Sequence, residues 1–98
     1  MPAALTHDEF SQHANTTFQV QSDQGTAVEL ELMEISELKV HPNQEEFAIV
    51  FRGPLNGFLQ QGIRSLTHDQ MGEFELFIVP IRQDADGFYY EAVFNRVR

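Results

Sequence analysis

Gly72-Glu73-Phe74-Glu75-Leu76-Phe77-Ile78-Val79-Pro80-Ile81, followed by Asp84-Ala85-Asp86-Gly87-Phe88-Tyr89-Tyr90-Glu91-Ala92-Val93-Phe94, decides the fold class. Two runs rich in aromatic and β-branched residues flank an Asp-Gly pair, and such a pair supplies the positive φ angles that a tight hairpin turn needs. In the second run Phe88, Tyr90, Ala92 and Phe94 share a face and read as a core stripe. Tyr89, Glu91 and Val93 fall on the other, wet face. Pro80 cannot donate to a ladder and belongs at an edge or a bulge.

Working outward, the same two-residue period recurs. Thr16-Thr17-Phe18-Gln19-Val20-Gln21 alternates polar and apolar side chains and runs into turn residues, Ser22-Asp23-Gln24-Gly25. Val28, Leu30 and Leu32 alternate with Glu29 and Glu31, then the phase slips so that Met33 and Ile35 become the apolar positions. A β-bulge near Leu32-Met33 restores the inward face and bends the strand. A helix through Glu29–Lys39 is the rival, with a poorer apolar stripe. His41-Pro42-Asn43-Gln44-Glu45-Glu46 reads as a polar connector, Phe47–Phe51 as a strand covered on both faces, and Ile63–His68 as a weaker strand.

At the start, Thr6-His7-Asp8-Glu9 has the form of a capping box, with Leu5 and Phe10 in the hydrophobic-staple relation. A short helix near His7–Ala14 follows, too short to persist without docking on the core. The pattern is an all-β domain: a six-stranded antiparallel roll or small barrel with one short N-terminal helix, spanning residues 1–98 as a single unit.

Composition narrows the chemistry. Cysteine is absent, so no disulfide, thiolate metal site or cysteine nucleophile exists. Fifteen acidic against six basic side chains give a net charge of −9, which repels phosphate backbones and argues against nucleic-acid binding. The acids are uneven: residues 1–51 hold nine acids and one base, residues 52–98 six acids and five arginines. No basic, apolar leader opens the chain and no apolar run approaches the roughly 20 residues of a membrane span, so a soluble cytoplasmic protein is expected.

Candidate chemical groups read more simply as structure. Asp84-Ala85-Asp86-Gly87 lacks the third ligand position and distant Glu of an EF-hand loop and is taken as a turn. His7, His13, His41 and His68 have no spacing that promises convergence on a metal. Thr67-His68-Asp69 looks triad-like, but neighbours on a strand point to opposite faces. Glu29 with Glu31, and Glu73 with Glu75, alternate with apolar residues as a solvated sheet face does. No metal, cofactor or catalytic residue is assigned, and a non-enzymatic role is expected.

The loop Gly53–Gly62 is the segment most open to a functional role, because Leu55, Phe58 and Leu59 stand among glycines, a proline and glutamines. Such side chains either plug a barrel end or face a partner. Arg52, Leu55, Phe58, Leu59 and Arg64 are therefore the partner-binding candidates, with Arg52, Arg64 and Arg82 also placed to neutralise acidic rows.

The chain resembles a family of uncharacterised small bacterial domains. The resemblance rests on Leu5-Thr6-His7-Asp8-Glu9-Phe10, Phe51-Arg52-Gly53-Pro54, Gln61-Gly62 with Leu66-Thr67-His68, Met71-Gly72, Leu76–Pro80, and Asp84–Gly87 with Tyr90–Asn95. Ile63 stands where that pattern usually carries an aromatic. The resemblance implies an all-β domain of unknown function, loosely associated with phage-tail-like or fibre-forming proteins. The function expected is a protein-interaction or assembly module, by a protein partner or self-association. The alternative is a small-ligand-binding barrel gated by the loop 53–62.

Overall fold

The computed structural model describes residues 5–22 and 25–97. A helix, α1 (His7–Gln12), precedes β1 (Thr17–Gln21), β2 (Ala27–Ile35), β3 (Lys39–His41), β4 (Gln44–Gly53), β5 (Gly62–His68), β6 (Gly72–Asp84) and β7 (Gly87–Val97). All ladders are antiparallel. Going round in the order β2-β1-β5-β6-β7-β4, the last strand pairs back onto β2 and closes a six-stranded barrel. The expected architecture is therefore present. β3 is an addition to it, a three-residue strand beside the first residues of β4 where a plain connector was expected. Of the turn at 22–25, Asp23 and Gln24 lie outside the described residues.

Closure depends on β2 bending. Leu32 pairs with Phe51 but Glu34 pairs with Val50, so Met33 is the extra residue of a bulge. Beyond it Ile35 returns to the inner face opposite Ile49, which rules out the helix through Glu29–Lys39. A second bulge follows Pro80: Pro80 opposes Tyr90 and Arg82 opposes Tyr89. The ladder between β5 and β6 has ended at Gly62 and Ile78, so Pro80 has no β5 hydrogen bond to lose.

The interior is filled by side chains. Phe18, Leu30, Leu32, Ile49, Phe51, Leu66, Ile78 and Tyr90 are sealed from solvent along the barrel. At one end α1 lowers Phe10 among Phe18, Phe47, Phe74 and Phe94, with ring centroids 5.4–6.5 Å away. Burying such a ring contributes roughly 1.5–3 kcal/mol. The Thr6 hydroxyl accepts the Glu9 amide at 3.1 Å, which is the forward bond of the capping box, and Leu5 packs against the core cluster that contains Phe10. The helix stops at Gln12, two residues before the expected Ala14, where His13 forms the C-cap.

The β6–β7 hairpin differs from expectation in two respects. Tyr89 points to the outer face yet is 6% exposed, because the Arg82 guanidinium lies 4.2 Å over its ring. The positive φ of the turn falls on Gly87, at 154°, just past Ala85 and Asp86. Asp84 completes the turn by accepting the Asp86 amide and the Tyr89 hydroxyl. A Cβ on Gly87 would come within 2.1 Å of the Gly53 carbonyl oxygen, so glycine is required there twice over.

Gly87→Ala should lower the unfolding free energy in urea by about 1–3 kcal/mol. Gly25, also at positive φ (80°), has nothing within 4 Å of a Cβ. Gly25→Ala should therefore cost less; equal losses would remove the Gly53 contact as the cause.

Candidate functional site

The candidate residues of the loop Gly53–Gly62 lie at the end of the barrel opposite α1. β4 leaves the barrel at Gly53 and the chain crosses that mouth before re-entering as β5. Leu59 turns inward and is 1% exposed, and its amide donates to the Tyr90 hydroxyl at 2.9 Å. Burial pushes the Tyr90 phenol up from its ordinary pKa. Leu59 is thus a core plug and drops out of the partner-binding candidates. A backbone amide crossing an apolar mouth needs an acceptor, and the phenol supplies it.

Leu55 and Phe58 remain outside, 47% and 49% exposed. Phe58 rests edge-on against Phe88, centroids 4.9 Å apart, so one side of its ring is anchored and the other faces water. Ile63, the second residue of β5, is 68% exposed opposite Phe77 of β6, itself 51% exposed. Paired apolar side chains on an outer face are unusual for a wall that needs no cover. The exposure of Phe77 is concealed by the alternation of β6, since it reads as one apolar residue among several.

The two candidate arginines are committed within the fold. Arg52 reaches Glu31 across the β2–β4 ladder at 2.8 Å, and this bond, with Tyr89 beside it, holds its pKa above the ordinary value. Arg64 donates to the Gln60 carbonyl at 2.8 Å and so helps fix the end of the loop. Arg82 joins Glu34 at 2.9 Å. A groove of about 550 Å³ is lined by β2, Arg52, Pro54, Asn56 and Asp86, and it lies on the outer surface.

The segment that carries the loop contributes no acid, although Asp86 of the β6–β7 turn lies beside Pro54 and Asn56. No acidic residue occurs from Phe47 to His68, a stretch that includes Arg52 and Arg64. The rest of the chain carries all fifteen acids and four bases. Dividing the chain at its midpoint hides this window, because it straddles the division. Leu55, Phe58 and Ile63 all belong to it.

At the opposite end the fold brings together two histidines that lie far apart in sequence. His13 and His68 have ring centroids 4.6 Å apart, and His68 is 7% exposed. His68 Nδ1 accepts the amides of Gln70 (3.0 Å) and Met71 (3.2 Å), so it carries no proton. Nε2 therefore holds the hydrogen and donates it to Thr16 Oγ1 at 2.9 Å, while that hydroxyl donates to the His13 carbonyl. With Nε2 already protonated, His68 cannot take a proton from Thr16, so the pair does not form an activated nucleophile. Asp69 and Thr67, its sequence neighbours, are exposed. His7 bonds the Ser36 carbonyl and His41 approaches Glu46 at 3.5 Å. Among the described residues no three His, Asp or Glu side chains converge on a metal position, and no helix is long and apolar enough to cross a membrane.

A small closed antiparallel barrel, plugged at both ends by side chains, is the class of domain these features define. Residues 5–94 match the model of the family described as a domain of unknown function, DUF6916, and the chain belongs to that family. No curated protein and no solved structure matches it.

The division of the loop into plug and exposed face is directly measurable. Leu59→Ala should cost about 2–5 kcal/mol of stability, as truncating a sealed core leucine does. Leu55→Ala should stay within about 0.5 kcal/mol of the parent. Similar losses at both positions would place Leu55 in the core as well.

Proposed function

We propose that the domain is a non-enzymatic protein-interaction or assembly module whose contact surface is the loop end of the barrel and the Ile63–Phe77 wall. The observation that carries this is the coincidence of exposed Leu55, Phe58 and Ile63 with the acid-free window from Phe47 to His68. Apolar side chains gain by leaving water, at about 25 cal/mol per Å². A segment that contributes no carboxylate of its own limits the charge that such a contact must desolvate.

The partner proposed is a second copy. Each chain carries −9, so copies repel wherever their acidic surfaces meet, and the segment from Phe47 to His68, which adds two arginines and no acid, is where the chain itself contributes least to that repulsion. A barrel axis filled by Phe18, Phe51, Leu59 and Tyr90 supports assembly over an interior ligand gated by the loop 53–62. The loose association of the family it resembles with phage-tail-like and fibre-forming proteins belongs to the same proposal, as the kind of assembly in which such a module would serve.

Sedimentation velocity over a concentration series tests it. The parent should shift from monomer towards dimer, more so at high salt, where the repulsion is screened. Phe58→Ser combined with Ile63→Lys should abolish the shift without unfolding the barrel. Val93→Lys, at a 59% exposed valine on β7, should leave it unchanged. A parent that is monomeric at every concentration, or equal loss from Val93→Lys, would overturn the self-association.

A further inference from the structure

His68 does more than fill space at the α1 end. Its two ring nitrogens tie together segments that are not otherwise adjacent in the chain. Nδ1 gathers the Gln70 and Met71 amides and so holds the β5–β6 turn, with Met71 sealed in the core behind it. Nε2 holds Thr16, and through its hydroxyl the His13 carbonyl, where α1 ends and β1 begins. Phe18 covers the ring with centroids 4.4 Å apart.

This arrangement fits only the neutral imidazole. A proton added to Nδ1 would face two N–H donors already pointing at it, so the charged ring cannot keep the turn. We propose that His68 is an acid-operated latch: its protonation at Nδ1 drives the ring off the Asp69-Gln70-Met71 turn, and the displaced ring takes Nε2 away from Thr16, loosening α1 and its Phe10 plug while the strands of the barrel stay paired.

The groups facing His68 set the direction. From the end of α1 comes the His13 ring, whose protonation places a like charge 4.6 Å away and opposes a charge on His68. From the turn comes Asp69, which favours that charge. Burial is the largest influence, and the net result holds His68 below its ordinary value of 6.5. From β1 come Thr16 and Phe18, which carry no charge. Above 6.5 the latched and released forms both hold neutral His68, so pH does not shift their balance. Below it the released form takes up the proton first, and the latch weakens until the folded pKa is passed. A polar recess of about 510 Å³, lined by Gln12, His13, Thr16, Asp69 and Gln70, gives water access to the ring.

Nitrogen-15 NMR of the intact chain, titrated from about pH 7.5 to about pH 5, tests the latch in the range where histidine changes charge. At the upper limit the ring shifts should report the Nε2–H tautomer. Through the His68 titration, the Gln70, Met71 and α1 amides should lose hydrogen-exchange protection by at least about tenfold, corrected for intrinsic rates, while Ile49 and Ala92 keep theirs. His68→Gln should remove the step. If that variant does not fold, His13→Gln decides, because losing the like-charge neighbour should move the His68 midpoint upward. An Nδ1–H tautomer, a His68 that titrates with the turn still protected, no titration by the lower limit, or no upward shift in His13→Gln would overturn it.

Discussion

Everything in this fold rests on the ladder between β2 and β4. A sheet of six strands in so short a chain leaves two long edges, each a row of unsatisfied backbone groups, unless the first and last strands meet. Glu31 to Ile35 pairing with Arg52 to Ile49 makes that meeting, and the Met33 bulge supplies the bend that permits it. Without the extra residue β2 would continue in its original phase and carry Ile35 to the solvent side. One residue of irregularity is therefore what makes a regular barrel possible.

Once the sheet is closed, its two open mouths become the remaining problem, and the chain treats them differently. An amphipathic turn of helix inserts Phe10 at one, held by a cap and by aromatic neighbours. A loop inserts Leu59 at the other and discharges its backbone amide onto Tyr90. The first plug is coupled to a titratable side chain, the second to exposed apolar residues. A single barrel thus carries one end tied by a buried histidine and one end with exposed apolar side chains, separated by a sealed core.

Much of the fold was legible because it is encoded locally. The hairpin, the alternation in β1 and β2, the phase slip at Leu32-Met33 and the cap at Thr6 all depend on residues within a few positions of one another. What escaped depends on long-range closure. Tyr89 sits in a wet position by parity, and it is covered by Arg82, stretched to Glu34 in a distant strand, with Arg52 beside it. His13 and His68 converge only because β1 and β5 become neighbours. Leu55, Phe58 and Leu59 are alike in composition, and which of them enters the barrel is decided by the position of the Tyr90 hydroxyl. Lys39–His41 has no apolar alternation, and it becomes β3 because β4 begins early enough to offer an edge.

The pairing of β4 with β7 has a consequence for how the molecule comes into being. It is the longest ladder, running from Gln44–Val97 to Gly53–Phe88, and it joins the middle of the chain to the last of its strands. On a ribosome, β4 emerges with Phe47, Ile49 and Phe51 well before β7 exists, whereas the β1–β2 and β5–β6 hairpins form as soon as their arms are made. Such a high-separation contact forms late and slowly. The apolar edge of β4 is therefore the vulnerable surface during synthesis, and β7 acts as its chaperone from within the same chain.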